Sequence, residues 1–178
     1  MATYYQMLLR LGYLTLSELH HKIFSSCLRG LSLTALEDQV EGFIEKVISK
    51  KLYFPAYESL KRAQHLGHFT ALLSNSPSFL VKPLSRFFGF TLYAASEYSV
   101  TDSNHLHEIS SIMDGEKKAK VLQELMRQLK IEKNEVTVYS DSHWDIPFLC
   151  AAGHPIAVKP NKKLRKVAQK NRWKILWK

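Results

Sequence analysis

Apolar residues recur at helical spacing through the first third of the chain and alternate between strand and helical spacing through the rest. Leu36, Val40, Phe43, Ile44 and Val47 fall three and four apart, which sets them on one face of a helix over residues 33–50. Residues 2–11 and 15–29 also read as helices, with Gly12 and Gly30 at the breaks and Thr15 and Thr34 as caps. The character then changes. Pro55 opens a helix that reaches His65, Gly67 ends it, and 68–73 reads as a strand. Alternation follows: helix 77–88, extended pieces near 91–97 and 107–112, helix 115–129, strand 136–140 and helix 145–151. A strand at 155–158, a helix at 161–170 and a strand at 173–177 complete it. Such alternation builds a parallel sheet with flanking helices. The expected architecture is therefore α/β, with a helical cap over 1–52 and a core over 53–178.

The chemistry collects at predicted element ends. The run Val136–Ser140 reads as a short buried strand, followed by Asp141 and, four residues on, Asp145. Open α/β sheets place ligands just past the carboxyl ends of their strands. Two carboxylates there suit a hard cation such as Mg²⁺; an Asx turn capping the next helix explains them equally well. Leu72-Leu73-Ser74-Asn75-Ser76-Pro77 closes an earlier strand, with Ser76 placed as an N-cap and Pro77 as the first helical residue. Ser74 would then lie beside backbone N–H groups able to cradle a phosphate oxygen. Asp114 looks like the cap of a helix whose buried stripe is Leu122, Leu125, Met126 and Leu129. Lys117 and Lys118 lie in its first turn, where the helix dipole disfavours cations. A phosphate partner would account for one of them.

Taken in order, a strand-end Ser, a helix-start Lys and a strand-end Asp-x-x-x-Asp resemble the haloacid dehalogenase-like (HAD) superfamily, in its phosphoserine-phosphatase-like branch. Ser74 in "LLSNSPSFLVKPL" is similar to the second family motif, Lys118 in "GEKKAKVLQEL" to the third, and Asp141 and Asp145 in "VYSDSHWDIPFL" to the fourth. The resemblance implies a Rossmannoid parallel sheet with flanking helices and a helical cap. It also implies Mg²⁺-dependent hydrolysis of a small phosphorylated metabolite through an aspartyl-phosphate. In that scheme Ser74 and Asn75 bind the phosphoryl group and Lys118 pairs with nucleophile and phosphate. Asp141 is a metal ligand, with Asp145 supporting the metal directly or through other groups.

The family's first motif, a hydrophobic strand ending in Asp-x-Asp-x-Thr/Val, is not among the 178 residues. The first acid of that type is Asp38, inside an amphipathic helix, and Asp102 falls at a hairpin turn. As written, the chain is expected to lack its nucleophile and the central first strand of its sheet, and to be inactive. A late or trimmed start, a decayed or split enzyme, and a retained non-catalytic binding protein are the competing explanations.

Charge bears on the last of these. The net charge is +9, and Lys159–Lys178 holds nine basic residues and no acid. Such a segment suits nucleic acid or another polyanion, although most such runs are simply solvated helix faces. No apolar run approaches the roughly 20 residues that span a bilayer. Cys27 and Cys150 read as buried free thiols in a reducing compartment, which makes the cytoplasm the expected location.

Overall fold

A computed structural model of the chain describes residues 15–177. The helix expected over 2–11 lies outside the described residues. The chain divides into two compact units, one of residues up to Lys51 with Ala71–Ile112, the other of Leu52–Thr70 with Met113–Lys178. Residues 71–112 thus group with the helices before residue 52, and residues 52–70 with the C-terminal part of the chain.

In the first unit α1 (Leu16–Ile23) opens on a capping box. Thr15 Oγ1 accepts from Glu18 N–H at 3.2 Å, and Glu18 Oε2 accepts from Thr15 N–H at 2.7 Å. The single helix expected over 15–29 does not persist as an α-helix. Ser25 Oγ donates back to the His21 carbonyl at 2.7 Å, and the chain widens into a π-turn over Phe24–Leu28. Back-bonding of this kind competes with the backbone ladder. Gly30, at φ +80°, then turns the chain, donating its N–H to Leu106 O at 2.8 Å. Helix α2 (Leu33–Lys51) buries Val40 and Ile44, but Phe43 from the expected stripe stands 52% exposed.

Strand β1 (Ala71–Pro77) pairs in parallel with β2 (Leu92–Val100), which pairs antiparallel with β3 (Leu106–Ser111). Between β1 and β2 lies α4 (Ser78–Phe88). The strand was expected over 68–73; pairing begins only at Ala71, opposite Leu92, and a register shift carries it through to Pro77. Pro77 rather than Ser76 is therefore the N-cap, and no side chain caps the helix.

In the second unit α3 is Phe54–His65, with a proline in its first turn. Strands β4 (Thr137–Ser140), β5 (His154–Val158) and β6 (Lys174–Leu176) form an all-parallel sheet in that order. Around it run α5 (Gly115–Leu129), α6 (Ile146–Cys150) and α7 (Lys162–Lys170). Parallel crossovers are right-handed, so β4-α6-β5-α7-β6 sets both connecting helices on one sheet face. Val138, Ser140 and Ala157 are buried there, as are Leu149 of α6 and Leu164 and Ala168 of α7. The other face carries Thr137, Tyr139, His154 and Lys174, all exposed. The strand at 136–140, expected to be buried, is buried on one face only. Leu129 likewise emerges 40% exposed at the end of the α5 stripe. Cys27 and Cys150 are free and exposed, which corrects the expectation of buried thiols.

Among the described residues no helix is long and apolar enough to cross a membrane.

Candidate functional site

The second unit assembles a buried ion pair at the carboxyl end of β4. Asp114 accepts from Lys117 N–H at 2.8 Å and starts α5, which fixes the direction of its first turn. That turn sends Lys118 inward. Its Nζ donates to both carboxylate oxygens of Asp145, at 2.8 and 2.9 Å, and the two side chains are only 8% and 13% exposed. Ser140 Oγ, at the end of β4, donates to Asp145 Oδ2 at 2.7 Å. A buried ammonium keeps its charge only when it is paired and hydrogen-bonded, and Asp145 supplies both conditions. With three bonds from Lys118 and Ser140, both oxygens of Asp145 are engaged.

Gly115 makes this arrangement possible. A Cβ there would strike the Trp144 carbonyl oxygen and come within 3.2 Å of Asp145 Cα. The start of α5 therefore lies directly against the 3₁₀ turn His143–Asp145, which Ser142 caps by accepting from Trp144 N–H at 3.3 Å. Lys118 was singled out in the sequence; Gly115 and Ser140 were not, although a Gly just after a helix cap and a Ser closing a strand were the available signals.

Asp141 differs from Asp145 in every respect. It is exposed at the strand mouth, and its carboxylate makes no hydrogen bond or ion pair among the described residues. Its carbonyl accepts from Asn161 N–H at 3.4 Å, and the same Asn161 caps α7 by accepting from Leu164 N–H at 2.9 Å. Asn161 Nδ2 also donates to His143 Nδ1 at 2.9 Å. Burial first, and the Lys163 charge second, hold the His143 imidazolium below its ordinary range. No group of three or more His, Cys, Asp or Glu able to hold a metal occurs among the described residues.

Ser74 and Asn75 belong to the first unit. Ser74 Oγ accepts from Ser76 N–H at 3.2 Å, a local turn, and the Asn75 carbonyl accepts from the fully buried Ser96 Oγ at 2.8 Å. The Asn75 side chain hydrogen-bonds His20 of α1, whose proton affinity burial lowers. Ser74 thus sits within a strand that continues to Pro77, not beside a free helix N-terminus. Asp38 and Asp102 are both exposed, on α2 and at the β2–β3 turn.

A strand-end Ser in the first unit, and a helix-start Lys with strand-end Asp residues beside a parallel sheet in the second, define a class, and comparison with known proteins agrees. The haloacid dehalogenase-like hydrolase family matches residues 2–149. The chain belongs to that family. Probable phosphatase Rv3661 of Mycobacterium tuberculosis is 26% identical over 147 residues, covering 83% of this chain and 51% of its own. Phosphoserine phosphatase SerB1 of the same organism is 24% identical over 149 residues, covering 83% of this chain and 48% of its own. The chain spans about half the length of the curated relatives it matches. A Bordetella pertussis Tohama I protein of unknown function superposes with TM-score 0.82 at 24% identity, covering 98% of this chain and 79% of that one. A substrate-bound phosphoserine phosphatase complex gives 0.74 at 19% identity, covering 99% and 79%. At these identities the structural matches establish the fold, which is the HAD-like α/β fold with flanking helices.

Proposed function

We propose that the chain is part of a cytoplasmic, Mg²⁺-dependent phosphomonoester hydrolase acting on a small phosphorylated metabolite. The observation that carries this reading is Lys118, a buried ammonium fixed at a strand mouth by Asp145, which Ser140 holds in turn. A cation held in one place by a carboxylate that is itself hydrogen-bonded is preorganised to meet phosphoryl oxygens, so no reorientation is needed as charge develops. Asp145 then positions Lys118 instead of ligating a metal, because both its oxygens are already engaged. Asp141, exposed and unpaired, fits as one carboxylate ligand of Mg²⁺, an ion that takes one or two protein carboxylates and fills its other positions with water and phosphate. When bound, Mg²⁺ would neutralise phosphoryl oxygens. Ser74 and Asn75 are assigned to phosphate binding by the family motif alone.

No Asp-x-Asp-x-Thr/Val occurs in the 178 residues, so the chain by itself is expected to leave p-nitrophenyl phosphate at the background rate. Extending it upstream with such a strand is expected to give Mg²⁺-dependent turnover that Lys118→Met and Asp141→Ala abolish. A folded extended chain without turnover would overturn the proposal, as would robust turnover by the 178 residues alone.

A further inference from the structure

The second unit carries 17 basic and eight acidic residues, the first eight of each, so the net charge of +9 belongs entirely to the second. Part of that charge surrounds a groove of about 750 Å³ lined by β4, β5, the start of β6 and the end of α6. Lys133, His154, Arg172 and Lys174 line it together with Tyr139 and Trp173, and no Asp or Glu among the described residues does. Glu132 and Glu135 flank Lys133 in a 3₁₀ turn, where Glu135 Oε2 accepts from Glu132 N–H at 2.8 Å. Lys133 Nζ donates one bond, to Cys150 O at 2.8 Å, and His154 Nε2 donates to Asn134 O at 2.7 Å. Both side chains are thereby aimed and not free to sweep. Tyr139, Ile156 and Lys174 lie side by side in register across β4, β5 and β6. Tyr139 is 41% exposed.

Cations that follow a backbone, combined with an exposed aromatic face on which a base can stack, are what single strands require. We infer that this groove binds single-stranded nucleic acid without sequence preference. The strand mouths that carry Ser140, Asp141 and Asp145 are at the opposite end of β4 and β5 from His154 and Lys133, so the groove is separate from the phosphoryl site. An acidic peptide would use the cations but leave Tyr139 idle, which is why nucleic acid is favoured.

The experiment is fluorescence anisotropy of a labelled oligothymidylate of about 20 nucleotides with the full chain at about 50 mM salt. Saturable binding is expected, weakening as salt rises. Arg172→Glu with Lys174→Glu should weaken it by at least about tenfold and reduce the salt slope by about 0.7 for each phosphate left without its cation. Tyr139→Ala should cost about tenfold and leave the slope unchanged. Circular dichroism and the urea midpoint establish that each variant is folded. Absence of binding at low salt overturns the inference. So does indifference to Tyr139→Ala, which would reduce the binding to condensation on a basic surface. Equal competition by polyglutamate, or preference for anionic vesicles over the oligonucleotide, also overturns it.

Discussion

Asp145 shows what a single residue can do once its partner is known. Read along the chain it pairs with Asp141 as a possible second metal ligand. In the fold it is buried at 9% exposure and tied to Lys118, 27 residues earlier. The spacing of four between the two carboxylates and Lys118 itself were legible; the pairing of Lys118 with Asp145 was not, because no local pattern reports an ion pair across that separation. Removing one member of a buried ion pair strands the other charge in a low dielectric, which typically costs about 3–5 kcal/mol. Asp145→Ala is therefore expected to lower unfolding stability by about that amount, measured by urea denaturation. Combining Lys118→Met with Asp145→Leu should cost distinctly less than Asp145→Ala alone, since no orphan charge remains. A loss below about 1 kcal/mol for Asp145→Ala would mean that the pair is solvated and that Lys118 is not fixed.

At the scale of elements, most helices and strands were legible because their apolar periodicity is strong, and the errors fall at their ends. Pairing of β1 with β2 overrode the Ser76-Pro77 start signal and pushed the helix to Ser78. Ser25 back-bonding split a helix whose apolar pattern ran on. The packing of α5 on the 143–145 turn was equally hidden, since it depends on what Gly115 lacks. Two glycines separate these cases. Gly115→Ala forces a methyl into the Trp144 carbonyl and is expected to destabilise by about 1–3 kcal/mol. Gly42→Ala lies within α2 and meets nothing within 4 Å, so it should stabilise by about 0.4–1 kcal/mol through reduced freedom of the unfolded chain. Parallel thermal or urea melts decide it; a Gly115→Ala chain no less stable than the unmodified one would mean that α5 does not press on the 143–145 turn.

For the molecule as a whole, the charge was legible along the chain but the groups that couple charge to stability were not. Eight histidines look alike in the sequence, and only burial distinguishes His20 and His143. Both are held below the ordinary imidazole value chiefly by desolvation, with His21 adding to the effect at His20, Asn75 opposing it, and Lys163 adding to it at His143. A depressed folded-state pKa means that the unfolded chain takes up the proton first. Stability is then complete above the unfolded value of about 6.5 and falls as pH drops through it toward the lower folded values. Carboxylates with lowered values, Glu18 and Glu124, act in the same direction but only below their ordinary 4.5. The interval between about pH 7.5 and 5.5 thus isolates the histidines. Urea midpoints should decline across it, and His20→Gln, which retains an amide able to bond Asn75, should reduce the decline. His143→Gln should reduce it further, because the two side chains contribute separately. A midpoint that does not change over this interval in the unmodified chain would show that neither imidazole is buried against its proton, and an undiminished decline in the double variant would place the titration elsewhere.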